Sequence, residues 1–337
     1  MKNLIIIFLV FAFVAESYAQ KAEDYFNLGV ANAESGDHDK AVADYDKAIE
    51  LDSNYEEAYY NRAFSKYLLK DYKGAIADYN SLIALNPLSS NAFNNRGNIK
   101  SEIEDLEGAI VDFNRAIELD TANYAAFTNR GQLKDVIKDY KGAIADQSKA
   151  IELEPMRVEA YINRGKVKEE LDDFKGAITD YDKAIGLDPK NTLAYCNRGN
   201  AKYHLNDYPR AIADYDKAIG LDPKYAVAYC NRGNVKFDLK IYKWAIADYD
   251  KAIELDANYT LAYINRGNAK FDLKKYRWAI ADYDIAIGLD ANDTLTYYNR
   301  GNAKFKLNDR KGACQDWKKA VELGDAKAKD EIRKYCK

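Results

Sequence analysis

Nine asparagines stand 34 residues apart in this chain: Asn27, Asn61, Asn95, Asn129, Asn163, Asn197, Asn231, Asn265 and Asn299. A carboxamide offers two N–H donors and one carbonyl acceptor. A row of them could bond both the C=O and the N–H groups of an extended polypeptide without reading its side chains. A second, partial row follows three residues later, at Asn98, Asn200, Asn234, Asn268 and Asn302. Three residues is nearly one helical turn, so on a helix the two rows share a face. The residue after the asparagine is arginine in eight units: Arg62, Arg96, Arg130, Arg164, Arg198, Arg232, Arg266 and Arg300. An aspartate holds one fixed place in every unit: Asp44, Asp78, Asp112, Asp146, Asp180, Asp214, Asp248, Asp282 and Asp316. Opposite charges in register are the chemistry of ion pairing rather than of turnover.

Little else is equipped for reaction. His38 and His204 are the two histidines, far apart in sequence, which leaves scant material for general-base or metal chemistry. No nucleophile–base constellation and no metal-ligand spacing stands out, so neither an enzyme nor a cofactor is expected. The net charge is −4 with 31% charged residues, both signs interspersed. With the signs interspersed, no electrostatic footprint of nucleic acid or of an anionic membrane is expected.

The elements that position these residues follow from the period. The phrase Asn-Arg-Gly returns from Asn95 to Gly301, with Asn61-Arg62-Ala63 and Asn27-Leu28-Gly29 as upstream variants. A strict period of 34 residues without insertion means stacked units, each burying what it cannot bury alone. In the unit from Thr192 to Tyr225, apolar and small residues recur at helical spacing over Leu193 to Leu205, and Asn206-Asp207 interrupts them. A second stripe runs through Ala211, Ile212, Tyr215, Ala218 and Ile219. Pro209 is welcome in its first turn and Pro223 prevents its continuation. The spacing predicts two helices of three to four turns in an antiparallel pair.

On these residues the chain resembles the tetratricopeptide repeat family. The small residue after the arginine slot fits, as does the alanine opening each second helix, from Ala41 and Ala75 to Ala313. So do the aromatic four residues later (Tyr45, Tyr215), the later alanine (Ala48, Ala218, Ala252) and the closing prolines Pro87, Pro155, Pro189 and Pro223. Leu82 and Gln147 are minor departures. The resemblance implies an all-α, right-handed superhelical solenoid whose first helices line a concave groove. The repeats fall at 22–55, 56–89, 90–123, 124–157, 158–191, 192–225, 226–259, 260–293 and 294–327, with a capping helix over 326–337. It also likens the asparagine row to the ladders of peptide-binding superhelices in this family. The slot before the ladder, from Phe26 and Tyr60 to Tyr298, holds no basic residue, so a clamp on a chain-terminal carboxylate is not expected.

Charge register suggests a direction for the ion pairs. The first unit has Leu28 where the others have arginine, and it alone has no preceding second helix. Each arginine is therefore expected to reach back, Asp44 meeting Arg62 and so on to Asp282 with Arg300, and Asp316 to meet Arg333 or Lys334. Along the groove, Tyr203, Phe237, Phe271 and Phe305 form an aromatic row that either lies open to a ligand or packs between repeats. Trp244 and Trp278 open two adjacent second helices where other units carry glycine. They either form a second contact site or cover a neighbouring loop.

Cys196 and Cys230 are equivalent residues of adjacent units, whose helices lie about 8–10 Å apart, too far for a bridge. Cys314 and Cys336 are the candidate disulfide, stapling the cap to the stack. At the other end, Lys2, an apolar run from Leu4 to Ala15 and Ser17-Tyr18-Ala19 describe a signal peptide over 1–19. The run is shorter than the roughly 20 residues of a membrane span, so no stable anchor is expected after cleavage. The sequence thus reads as an exported scaffold, periplasmic or secreted, holding a protein or peptide. A carbohydrate-binding role and a self-assembling homo-oligomer are the alternatives.

Overall fold

The computed structural model describes residues 19–336. Residues 1–18 of the expected signal peptide lie outside the described residues. Among the described residues every regular element is an α-helix. The first, α1, covers 19–34. It is followed by α2 (His38–Leu51), α3 (Glu56–Leu68), α4 (Tyr72–Leu85), α5 (Ser90–Glu102), α6 (Leu106–Leu119), α7 (Tyr124–Val136), α8 (Tyr140–Leu153) and α9 (Val158–Glu170). Then come α10 (Phe174–Leu187), α11 (Thr192–His204), α12 (Tyr208–Leu221), α13 (Ala226–Asp238), α14 (Tyr242–Leu255) and α15 (Thr260–Asp272). The last are α16 (Tyr276–Leu289), α17 (Thr294–Lys306), α18 (Arg310–Glu322) and α19 (Ala328–Tyr335). They form two compact units, Met1–Val167 and Lys168–Lys337. Each is a stack of antiparallel helix pairs.

Each pair is closed by one turn chemistry. Between α11 and α12, Asn206 takes the left-handed conformation at φ 59°. The Asp207 N–H then bonds back to the Lys202 carbonyl at 2.9 Å. One residue in this conformation recurs at the same place in the other pairs, from Lys70 to Asn308, with Gly36 in the first. Asp207 caps α12 by accepting from the Arg210 N–H. Inside the pair, Ala194, Ala201, Ala211 and Ala218 are fully buried around Tyr215, which is 1% exposed. Gly199 is required there: a Cβ would stand 2.8 Å from the Tyr215 ring. Small residues let the helices approach, and the tyrosine fills the space between repeats.

The arginine row forms ion pairs, but not in the expected direction. Arg62 donates from Nε and Nη2 to Asp78 of its own repeat, at 2.9 and 2.5 Å, and from Nη1 to Asp46 of the preceding one, at 2.5 Å. Arg266 does the same with Asp282, at 3.1 and 2.7 Å, and with Asp250, at 2.6 Å. The planar fork fits one carboxylate with two parallel N–H groups and has a third left to reach back. Its backward partner is two residues beyond the predicted aspartate: Asp46 rather than Asp44, Asp250 rather than Asp248. Asp44 accepts from Asn32 at 2.7 Å, and Asp316 meets Arg300 and Lys304 rather than Arg333 or Lys334. A lysine one turn after each arginine completes the clamp, as Lys270 does on Asp282 at 2.7 Å. The guanidinium also lies over the aromatic ring three residues earlier, 5.3 Å from the Tyr263 centroid in the case of Arg266.

The cap is shorter than expected. Helix α19 starts at Ala328, because Asp325 accepts the Lys327 N–H at 2.6 Å and turns the chain first. Cys314 and Cys336 are joined in a disulfide, and Phe305, Trp317 and Tyr335 pack beneath it. The bridge closes a loop of sequence separation 22, which corresponds to about 3 kcal/mol of chain entropy. Reducing it should raise amide exchange across α19 and the end of α18 while leaving α11 and α12 unchanged, read peptide by peptide by mass spectrometry. Unaltered exchange in α19 would show that packing alone holds the cap.

Candidate functional site

The asparagine rows meet each other in the second unit. Asn231 donates from Nδ2 to Oδ1 of Asn200 in the preceding repeat at 2.9 Å. Asn265 does so to Asn234 at 2.9 Å, and Asn299 to Asn268 at 3.1 Å. The same acceptors take the buried phenols, Tyr215 on Asn200, Tyr249 on Asn234 and Tyr283 on Asn268, at 2.7–2.9 Å. Asn302 accepts from Trp317 Nε1 at 3.1 Å. The two rows thus form a relay of carboxamides and phenols that ties successive first helices together. The ladder donors of Asn231, Asn265 and Asn299 are engaged inside the protein. Asn197 is 8% exposed, and its buried Nδ2 has no acceptor among the described residues.

The first unit arranges its asparagines less regularly. Asn95 donates to Tyr60 Oη at 2.9 Å and to Tyr79 Oη at 3.3 Å, and Asn129 donates to Asn94 at 3.0 Å. Asn163 buries its Nδ2 without an acceptor among the described residues. Asn61 is half-buried and Asn27 is exposed.

The aromatic row is half-buried, so both readings of it hold in part. Phe237 packs edge-on against Tyr242 and Phe271 against Tyr276, with centroids 5.4 and 5.2 Å apart. Phe305 lies under the cap. The other faces of these rings line small cavities of about 240–250 Å³ that recur with the repeat. One has Tyr203, Phe237 and Asp238 as its walls, and the next has Phe237, Phe271 and Asp272. Tyr203 donates to Asp238 at 2.6 Å across the first of them.

A larger cavity lies in the first unit, and the sequence reading passed over two of its apolar walls, Phe64 and Val136. It measures about 600 Å³ and is walled by Tyr60, Phe64, Tyr67, Leu133 and Val136, with Asn95, Asn98, Asn129 and Gln132 among its polar lining. Phe64 is 49% exposed and Val136 67%. Phe64 stands at the slot where five later repeats carry asparagine, and Val136 where five carry an acid, histidine or lysine. The signal was available as a departure from the later repeats: two apolar residues, on first helices α3 and α7, at positions that are polar in every repeat from α9 onward, although Val30 and Leu68 share those slots early in the chain.

Cys196 and Cys230 are buried and unbridged, and burial pushes both thiols up to about 11. His204 stacks on Phe174. No group of three His, Cys, Asp or Glu among the described residues is arranged to hold a metal ion. No helix among them is long and apolar enough to cross a membrane.

Comparison with known proteins agrees with this architecture. The family model described as TPR repeat matches residues 32–70, 170–206 and 199–240. Models described as tetratricopeptide repeat match 57–89, 90–123 and 226–259. Together they cover more than half of the chain. The chain belongs to the tetratricopeptide repeat family. No curated protein matches it. Among solved structures, a tetratricopeptide repeat protein from Parabacteroides merdae is 18% identical over 84% of this chain and 99% of its own, with a TM-score of 0.55. Cut9 in the APC/C hetero-tetramer Cut9–Hcn1 is 14% identical over 94% and 76%, at 0.61. PilF of Pseudomonas aeruginosa is 20% identical over 64% and 98%, at 0.56. At these identities the likeness is one of fold. Tetratricopeptide repeats point to a protein-binding scaffold.

Proposed function

We propose that this tetratricopeptide repeat chain is a non-catalytic scaffold that seats an apolar side chain of a protein or extended peptide in the cavity of its first unit. The observation that carries the reading is the pair Phe64 and Val136, exposed apolar residues facing a concave space of about 600 Å³. That size falls within the range of ligand pockets, roughly 300–1,000 Å³. Exposed apolar lining of this kind marks binding sites more often than it decorates a surface. The asparagine ladder contributes by holding successive first helices in register, and its oxygen atoms and the flanking amides offer polar contacts beside the anchor. The second unit carries smaller aromatic cavities of its own on its first helices.

Export belongs to this proposal as well. The basic start, apolar run and small residues before Gln20 support cleavage after Ala19 and a periplasmic or secreted scaffold, working in the assembly of an envelope complex.

The test uses residues the chain itself tolerates elsewhere. Phe64→Asn and Val136→Glu install what other repeats carry at those slots, so the double variant should keep its melting temperature. It should bind partners captured by the parent chain at least about tenfold more weakly, since interface anchors of this type dominate affinity. Equal affinity in parent and double variant would sink the proposal.

A further inference from the structure

The second helices carry a device that two repeats give up together. In α4, α6, α8, α10 and α18 the N-cap is aspartate and the third residue of the helix is glycine, as in Asp71 and Gly74. The two are matched: the glycine N–H donates to the carboxylate at 2.9–3.0 Å. A Cβ at the glycine would collide with that carboxylate. Where the third residue is Lys40 or Arg210, the cap bond lengthens to 3.2 or 3.4 Å. Helices α14 and α16 abandon both members. Their caps are Ile241 and Lys275, which make no side-chain cap bond, and the third residues are Trp244 and Trp278. The tryptophan N–H groups fall back on the carbonyls of Ile241 and Lys275 at 3.0 Å.

What replaces the cap is a surface of one character. Trp244 and Trp278 are each 66% exposed. Around the first, Lys240, Ile241 and Lys243 are exposed, and around the second Lys274, Lys275 and Arg277. None of these five cations forms an ion pair among the described residues. The equivalent turns before α4 and α8 also carry two lysines, Lys70 with Lys73 and Lys138 with Lys141, but each keeps the capping aspartate among them, and the turn before α6 is Glu104-Asp105-Leu106-Glu107; the turns before α14 and α16 are the ones that keep the cations and lose that acid. A whole-chain charge of −4 conceals it. The patch lies on the turns between first and second helices, and none of the four cavities above is lined by it.

We propose that the turns preceding α14 and α16 form a peripheral docking surface for an anionic lipid bilayer, with Trp244 and Trp278 entering the headgroup region and the five cations meeting lipid phosphates. Indoles favour the polar–apolar boundary of a bilayer. Lysine and arginine gain from the negative surface potential of anionic leaflets. A patch with two large exposed rings, unpaired cations and no concavity suits a broad deformable surface better than an inserted side chain. Contact of this kind is reversible and needs no spanning segment. Two adjacent repeats have exchanged a stabilising cap for it, which a purely structural role for the indoles does not explain.

The native repeats supply the repaired variant. Ile241→Asp with Trp244→Gly, and Lys275→Asp with Trp278→Gly, restore the Asp–Gly device of the other second helices. The full chain and this fourfold variant are mixed with vesicles of phosphatidylcholine, with and without about one-third phosphatidylglycerol, the anionic component. Co-sedimentation and indole emission are read at low and high salt. The third tryptophan, Trp317, is 1% exposed, so an emission shift reports the two in the patch. The parent should bind anionic vesicles with a blue shift that salt weakens. The variant should melt higher and bind at least about tenfold less. Equal binding by the variant, or a parent that binds neutral and anionic vesicles alike without a shift, overturns the proposal. So does a parent that ignores vesicles but self-associates by light scattering, or binds an acidic polysaccharide instead, with either behaviour lost in the variant.

Discussion

Replacing Asp248 with alanine should destabilise the helix pair α13–α14 by about 3–5 kcal/mol. Asp248 is 5% exposed and holds two cations at once. Arg232 grips it through Nε and Nη2, at 3.0 and 2.5 Å, and Lys236 Nζ stands 2.6 Å away. Both cations keep only 18% of their side-chain surface. Losing the carboxylate leaves Lys236 without its partner and Arg232 with only the exposed Asp216, two largely desolvated positive charges side by side, and that outweighs the modest net worth of the intact clamp. Asp248→Asn keeps the shape and removes the charge, so it should fall nearly as far. Asp250→Ala is the control. That residue takes only the backward Nη1 of Arg266 and is 54% exposed, and exposed pairs contribute about 0–1 kcal/mol. Because repeats unfold as neighbouring units, the readout is amide exchange in α13 and α14 together with the melting curve. Similar losses in Asp248→Ala and Asp250→Ala would show that the clamp is no more than a surface pair.

Alkali should unfold the chain steeply above pH 10. Burial pushes the Tyr45 phenol up to about 12, with Glu34 and Asp44 adding to it, and burial lifts Tyr225 to about 12 as well. Burial also raises Tyr79, Tyr181, Tyr215, Tyr249 and Tyr283, each at most 1% exposed between repeats. A tyrosine in the unfolded chain titrates near 10. The folded state therefore holds these protons more tightly. Their contribution is fully present below pH 10 and is lost as pH rises toward and through the folded values. Each tyrosine ionised in the unfolded but not the folded state contributes a slope of about 1.4 kcal/mol per pH unit, and the row acts together. Helical circular dichroism and tyrosinate absorbance should change in one shared transition. Full tyrosinate absorbance with helix content intact would show that the phenols titrate without unfolding.

The period made the helix pairs legible, because a small residue, an alanine and, Gln147 apart, a large aromatic can keep the same slots over nine units only if the same packing recurs. It also placed the asparagines on first helices. What the period could not settle was direction. Asp44 and Asp78 are the same slot, so the pattern alone cannot say whether Arg62 meets its own repeat or the previous one. The argument from Leu28 pointed to Asp44, whereas Arg62 holds Asp78 of its own repeat with two N–H groups and reaches back with the third to Asp46. The backward acceptor was obscured because its slot varies, from Asp46 to Asn80, Asn114 and Ser148. The lysine that completes each clamp was visible one turn after the arginine, yet lysine on a helix reads first as a solvated residue. For the site, regularity misled. The nine asparagines drew attention, whereas several use their donors on neighbouring repeats. Phe64 and Val136, which line the cavity of about 600 Å³ in the first unit, are informative because they depart from the later repeats. Trp244 and Trp278 carry the same lesson, since their meaning lies in the Asp–Gly cap they displace.

The central claim, a protein ligand held by the first-helix face, is met most directly by site-specific photo-cross-linking in the native host. A photoreactive phenylalanine analogue is placed at Phe64, which lines the cavity, or at Val111, 64% exposed on the second helix α6. The scaffold reading predicts a discrete protein adduct from position 64, abolished by adding Val136→Glu, and none from position 111. Adducts of equal yield from both positions, or from position 111 alone, would contradict it.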